Sequence, residues 1–161
     1  MEAIPSIRQS IIDFIEVVDA HGLEHEVRVK RLVEALDHLA ATVHGATYKF
    51  DATDYPEGPG CDFQALYARV GAHFPEFGYY NLADPTTQKI GDAQIIVGDA
   101  VDDVADIYRD LSRVLWRWDN TSTDDALWHF TNSYKSHWGL HLRSLQYYVH
   151  VLESGVDATS S

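Results

Sequence analysis

Only one cysteine, Cys61, occurs among the 161 residues, so an intrachain disulfide is excluded, and no second thiol stands at a metal-ligand spacing. Lysine and arginine are scarce, 12 against 25 aspartates and glutamates, and the net charge of −13 disfavours nucleic acids and anionic membranes as partners. No apolar run approaches the length of a membrane span, and the first residues lack the pattern of a secretory signal. These absences predict a soluble, cytoplasmic protein with a reduced thiol.

Sequence signatures of common catalytic sites are missing as well. The chain has no glycine-rich phosphate loop, no Gly-x-Ser-x-Gly elbow and no Cys-x-x-Cys pair. The Glu-x-x-His pattern of di-iron bundles does not occur either. Cys61 is an unsuitable nucleophile, because its neighbours are acids. No catalytic motif in the sequence therefore predicts an enzymatic activity or a cofactor.

Apolar residues recur at helical spacing along most of the chain. The pattern predicts four long helices, over about 6–22, 24–44, 98–120 and 121–153, and one short helix over about 63–73. The last two long helices should form a long antiparallel hairpin around Thr121 and Ser122. We predict an all-α fold, a single helical bundle over residues 1–155, with a disordered tail over 156–161. An α+β fold is the alternative if residues 90–97 find a strand partner.

Two segments lack a helical period. Residues 46–62 hold proline, glycine and scattered acids, which predicts a mobile, solvated insertion, with a lid or partner-ordered segment as the alternative. Residues 74–80 crowd aromatic rings beside helix breakers and should plug one end of the bundle. The same stretch is the candidate surface for a partner, through Phe74, Phe77, Tyr79 and Tyr80.

Acids and cations are separated along the predicted helix over 98–120. The acids lie toward its start and the cations toward its end: Asp99, Asp102, Asp103, Asp106 and Asp110, then Arg109, Arg113 and Arg117. This order complements the helix dipole, and Asp106 with Arg109 and Asp110 with Arg113 fall at i,i+3. We therefore interpret most of these charges as a solvated structural face.

His137 and His141 stand one helical turn apart on the face that the heptad pattern assigns to the core. Buried imidazoles need hydrogen-bonding partners, since an unpaired one costs about 1–3 kcal/mol. In a hairpin centred near residue 121, Asp106 lies level with His137 and Asp102 with His141. Asp103 lies between them beside the helix contact and is the preferred partner, whereas Asp106 and Asp102 should point progressively outward.

Three interpretations of the histidine pair remain open. The rings can be structural, hydrogen-bonded to Asp103, Tyr134, Ser144 or the backbone. They can ligate zinc, nickel or iron, with Asp103 or Asp106 as a third ligand or orienting group. They can also perform acid–base catalysis without a metal.

Three motifs resemble the bacterial family called domain of unknown function 5063. They are residues 102–111 (DDVADIYRDL), 125–128 (DALW) and 137–142 (HWGLHL). The resemblance covers about residues 97–152 and implies an all-helical bacterial domain with no established activity, so it transfers no functional residues. The chain departs from the pattern after Leu142, where Arg143 and Ser144 replace a more acidic and apolar stretch.

The favoured function is a non-enzymatic helical module that binds another protein, through residues 74–80 or the loop 46–62. One alternative is a metal-dependent enzyme that uses His137, His141 and Asp103 or Asp106 to hold a divalent transition metal, with a bound water as nucleophile. Another is an acidic mimic of nucleic acid that occupies a basic protein's groove. The sequence does not specify an oligomeric state.

Overall fold

The computed structural model describes residues 6–155, and the predicted tail over 156–161 lies outside them. The elements, in chain order, are α1 (Ile7–Asp19), α2 (His25–Thr42), α3 (Phe63–His73), β1 (Tyr79–Ala83), β2 (Ile95–Asp99), α4 (Ala100–Asn120), α5 (Thr123–Ser133) and α6 (Gly139–Ser154). A 3-10 turn over Val43–Gly45 follows α2, and a π-helical turn over Tyr134–Trp138 joins α5 to α6. Among residues 6–155, no helix is both long and apolar enough to cross a membrane.

Side-chain caps define where several helices begin. The Ser6 hydroxyl accepts from the backbone N–H of Gln9 at 3.2 Å and starts α1, where the sequence predicts the first helix to begin. The Ser122 hydroxyl accepts from Asp125 N–H at 3.1 Å and starts α5. Asp99 begins α4 by accepting from Val101 N–H at 3.0 Å. Because these contacts are local, the starts of these helices can be predicted from the sequence.

Helix α4 lies at the centre of the fold and contacts α1, α3, α5 and α6. Helices α1 and α2 pack on each other as the predicted amino-terminal hairpin. The large side chains that the packing buries completely come from five of the helices, from the π-helical turn and from the residue that follows α3, and they include Phe14, Leu32, Phe74, Ile107, Leu111, Phe130, Trp138 and Leu142. The core therefore runs along α4 from Ala100 to Val114.

A two-stranded antiparallel sheet makes the all-α prediction wrong, although the fold is mostly helical. Strand β1 pairs with β2, and the register places Tyr80 opposite Gly98 and Leu82 opposite Ile96. This pairing is the α+β alternative, in which residues 90–97 find a strand partner, and the partner begins within residues 74–80, for which the sequence predicts an aromatic plug. Phe74 and Phe77 do plug the bundle, being 0% and 7% exposed, and the strand begins immediately after them.

The loop over residues 46–62 lies against the corner between α4 and α5. Lys49 N–H donates to Asp124 at 3.0 Å, and the Ser122 hydroxyl donates to Asp51. Gly58 packs on the Trp116 indole so closely that an added Cβ would lie 2.9 Å from the ring. The segment is held at three places without helix or strand of its own, and none of its residues is buried, which agrees with the prediction of a solvated insertion.

Gly98 is expected to be indispensable for the strand pair. A Cβ at this position would lie 2.5 Å from the Tyr80 ring, which covers the glycine across the sheet. We expect Gly98→Ala to lower the free energy of unfolding by about 1–3 kcal/mol through overpacking, measured by urea denaturation. Gly45→Ala is the control, because a Cβ there meets nothing within 4 Å. Equal stabilities for the two variants would refute the close-packing argument.

Candidate functional site

Three aspartates of α4 form a buried row that faces α6. Asp103, Asp106 and Asp110 have side chains that are 7%, 10% and 8% exposed. Their spacing of three and four residues keeps them on one helix face. The prediction of a solvated acidic face is therefore wrong for these residues. Their position next to the core requires cationic or hydrogen-bonding partners.

Two imidazoles from the last helical segment meet this row. His137 lies in the π-helical turn and His141 in the first turn of α6, with ring centroids 4.8 Å apart. In the π turn, Gly139 N–H donates to the carbonyl of Tyr134, five residues earlier. A Cβ on Gly139 would lie 2.4 Å from that oxygen, so glycine permits the turn. Wide turns of this type are frequent at functional sites.

Each imidazole is held by a different carboxylate. His141 Nδ1 lies 2.7 Å from Asp103 Oδ1, and His137 Nδ1 lies 2.7 Å from Asp110 Oδ2. A carboxylate accepts, so Nδ1–H is the donor in both rings. The remaining nitrogens point toward Asp106, with His141 Nε2 at 3.4 Å from Oδ2 and His137 Nε2 at 3.9 Å from Oδ1. A neutral ring in this tautomer presents the Nε2 lone pair to the same place as the Asp106 carboxylate.

Strand β1 adds a tyrosine to the site. The Tyr80 hydroxyl donates to Asp103 Oδ2, so Asp103 accepts from Tyr80 and His141 together. Burial, followed by this hydrogen bond, raises the pKa of the Tyr80 phenol well above its ordinary value, which keeps the hydroxyl a donor. The Gly98 position opposite Tyr80 gives the ring room to reach inward.

The charges of the site do not cancel while both imidazoles are neutral. Arg109 reaches Asp106 Oδ1 at 2.6 Å and lies over the Phe63 ring at 4.9 Å. Three carboxylates against this one guanidinium leave two negative charges. The hydrogen bond to Asp103, opposed by burial, raises the pKa of His141. Burial and the neighbouring Asp106 charge raise the pKa of Asp102. The site therefore attracts cations, whether protons or metal ions.

One metal ion can be reached by three of these side chains. Asp106, His137 and His141 each offer a ligand atom, and these atoms lie within 4.8 Å of one another. Ligand bonds of about 2.0–2.1 Å in a tetrahedral zinc site put ligand atoms about 3.3 Å apart. The 3.4 Å separation of His141 Nε2 and Asp106 Oδ2 already matches that value. Two imidazoles and one carboxylate are also a ligand set that zinc and iron accept.

The structure brings together four of the five residues that the sequence proposed for the polar site: Asp103, Asp106, His137 and His141. Asp103, the preferred hydrogen-bonding partner, holds Nδ1 of His141 as predicted. Of the two carboxylates considered as a third metal ligand, Asp106 is the one that faces both Nε2 atoms. The expectation that Asp106 points outward was wrong, because its side chain is 10% exposed.

Tyr134 lies outside the group. Its ring makes edge contacts with His44 and Trp138, and Arg143 donates to its hydroxyl at 3.3 Å. The proposed partner surface also changes, since Phe74 and Phe77 are buried in the core and Tyr80 turns toward Asp103. Tyr79, at 74% exposed, is the residue of that surface still accessible to a partner.

Sequence reasoning missed two residues of the site. Asp110 was assigned to a surface pair with Arg113, although its distance of seven residues from Asp103 places it on the same helix face. That spacing was the available signal. The contact of Tyr80 with Asp103 had no local signal, because it depends on the pairing of two strands.

Comparison with known proteins gives a family and a fold. The model described as "Domain of unknown function (DUF5063)" matches residues 13–154. No curated protein matches the chain. The crystal structure of protein BF1032 from Bacteroides fragilis is similar, with a TM-score of 0.76 and 16% identity over 95% of this chain and 93% of that chain. At this identity the similarity concerns the fold alone.

The pKa of His141 should depend on Asp103. We expect Asp103→Asn to lower it toward or below the ordinary value of about 6.5, because the charged hydrogen-bond acceptor is lost. A raised folded-state pKa stabilises the protein below about pH 6.5, and this stabilisation is lost as pH rises through the folded-state pKa. The variant should therefore lose more stability near pH 5.5 than near about pH 8.5.

The measurement is an NMR titration of the His141 imidazole together with urea unfolding at the two pH values. Tyr80→Phe is the matched control, since it removes the other hydrogen bond to Asp103 and keeps the carboxylate. A His141 pKa that is the same in wild type and Asp103→Asn would contradict the assignment.

Proposed function

We propose that this chain, which belongs to the DUF5063 family, is a metal-dependent enzyme that holds a divalent transition metal between Asp106, His137 and His141. The observation that carries the proposal is the orientation of the two rings. Each Nδ1 is bound by its own carboxylate, and each Nε2 faces Asp106. Histidine ligands in metal sites commonly donate their other ring N–H to a carboxylate in this way.

Charge also favours a divalent ion. The two negative charges left by Asp103, Asp106, Asp110 and Arg109 equal the charge of one such ion, and a metal requires the imidazoles to be neutral. Arg109 binds Asp106 Oδ1, so Oδ2 is the oxygen available for coordination. The guanidinium then orients the carboxylate from outside the coordination sphere.

Three protein ligands leave a coordination position for water. The His137 side chain is 37% exposed and that of His141 23%, so the site opens toward solvent beside His137. A metal with an open position lowers the pKa of its water toward neutrality and supplies a hydroxide nucleophile. Hydrolysis is therefore the reaction class that this ligand set supports best. Zinc, iron, nickel and manganese suit ligands of this type.

Metal binding should depend on the three ligands and on Asp110. We expect the wild type to bind one zinc or manganese ion per chain, and His137→Ala, His141→Ala and Asp106→Asn each to weaken binding more than about 100-fold. Asp110→Asn should weaken it about 10- to 100-fold, because His137 loses its orienting acceptor. Isothermal titration calorimetry and elemental analysis of protein purified without chelator provide the measurement.

His150→Ala is the matched control, since this histidine is exposed on the same helix, α6. Wild-type protein that takes up no metal, or four site variants that bind as tightly as the control, would rule out the metal centre.

Protein binding is a second candidate function, favoured by the exposed apolar side chains of the strand pair. Ile95, Ile96 and Val97 are 66%, 60% and 67% exposed, and Tyr79 on β1 is 74% exposed. The sheet has two strands, so each strand also has a free edge that an extended partner segment can pair with. Against the third candidate, an acidic mimic, three of the α4 aspartates are buried and contribute nothing to an acidic surface.

The strand pair offers a direct test of partner binding. Ile95→Thr with Val97→Thr removes apolar surface from one face of β2 and keeps β-branched residues, so the sheet should persist. We expect affinity purification from the native cell to recover a partner with the wild type, and the double variant to lose at least about 90% of it. Lys89→Gln on the connection between the strands is the control. Identical recovery by all three proteins would exclude this surface.

A further inference from the structure

A cleft of about 370 Å³ adjoins the candidate metal site. It lies between α4, α5 and the loop, and its walls include the segment 57–60, Asp110, Arg113, Arg117, His129 and Ser133. Asp110 belongs to both places, since it lines the cleft and accepts from His137 Nδ1 at 2.7 Å. The cleft therefore opens next to the more exposed of the two histidines. Its volume suits a small molecule.

Cations stand out in this cleft against the strongly acidic protein. Arg113 is exposed and forms no ion pair or hydrogen bond with any residue of the described range 6–155. Arg117, one turn further along α4, binds Asp125 Oδ2 at 3.0 Å and keeps its side chain 17% exposed. The loop contributes Gly58, Pro59 and Gly60, whose backbone brings no charge to the opposite wall.

His129 adds a neutral polar group. Burial, and then the charge of Arg117, lower its pKa, so the imidazole is uncharged at neutral pH and can exchange hydrogen bonds with a ligand. Glu57 and Asp110 are the acids of the lining, and the charge of Asp110 is shared with His137. Among the cationic groups of the cleft, Arg113 is thus the one whose N–H donors are not used by residues 6–155.

We propose that this cleft binds the anionic group, phosphoryl or carboxylate, of the substrate whose reacting bond lies at the metal, with Arg113 as the main contact and Arg117 as the second. The inference that the bound anion belongs to a substrate rests on the proposed metal centre, but anion binding itself requires only the cleft. Guanidinium groups bind both kinds of oxyanion through paired N–H donors. Asp110 connects the cleft with the metal site, because it lines the cleft and also orients His137, a proposed metal ligand.

The test is calorimetric titration of the full chain with methylphosphonate and with acetate. Each titration is run on metal-loaded protein and on protein stripped over a chelating resin. We expect Arg113→Gln to weaken anion binding about tenfold or more in both forms, equivalent to about 1.4 kcal/mol. Arg31→Gln, the same change on α2, should stay within about twofold of wild type. Metal affinity should be unchanged in both variants.

The two anions distinguish the two substrate groups. Tighter binding of methylphosphonate supports a phosphoryl group, and tighter binding of acetate supports a carboxylate. Failure of both anions to bind at about 10 mM, or equal losses in Arg113→Gln and Arg31→Gln, would overturn the inference.

Failure of the metal centre is visible separately. Arg113-dependent anion binding in a protein that takes up no metal would leave the cleft as an anion site and remove the proposed hydrolysis. Metal uptake without Arg113-dependent anion binding would overturn the cleft assignment alone.

Discussion

Burial of three carboxylates on α4 against two imidazoles is the constraint around which the carboxy-terminal half of the molecule is arranged. A buried carboxylate that loses its hydrogen-bond donor costs about 1–3 kcal/mol or more, so Asp103 and Asp110 tolerate few alternative positions of His141 and His137. The apolar packing of α4 makes the helices associate, but it does not fix the offset between them, since many offsets bury a similar area. The hydrogen bonds of His137 with Asp110 and His141 with Asp103 select one offset among them. Tyr80 extends the same network to the strand pair.

Protons and the proposed metal ion would compete for this site. The raised pKa of His141 means that its protonated form stabilises the fold at low pH, and that this contribution disappears as the ring becomes neutral. The neutral ring is the form that ligates a metal. In the range where proton-based stabilisation is lost, the negative charge of the aspartates is left uncompensated, and a divalent ion can replace the proton. The arrangement that stabilises the fold under acidic conditions is thus also the one that prepares the ligands.

Local rules predicted the helices, their caps and the inward face of His137 and His141, because spacing and capping residues act over a few positions. They predicted Asp103 as the preferred partner of the histidine pair, since it lies between the two histidine levels beside the helix contact, and Asp103 does bind His141. They failed for Asp110, because an aspartate three residues from an arginine fits a solvated pair as well as a buried site. The strand pair and the contact of Tyr80 were not predicted, for a different reason: residues 79–83 pair with residues 95–99 across a connection much longer than the two-residue turns that identify a hairpin in a sequence. The π turn was not predicted, because the helical spacing of apolar residues does not reveal the one wider turn that Gly139 permits.

The order of residues along α4 would also determine how the proposed substrate approaches. Asp103 and Asp110 are seven residues apart, about 10.5 Å along the helix, and Asp106 lies between them. At the Asp103 end, Tyr80 covers the carboxylate, and His141 is the less exposed ring. At the Asp110 end, the wall of the cleft begins and His137 is the more exposed ring. A molecule can therefore reach Nε2 of the histidines from the Asp110 side, where Arg113 and Arg117 continue the same face of α4. The anionic group and the reacting bond would then lie in line along one helix. The distance between them would therefore be set by the rise per residue of α4.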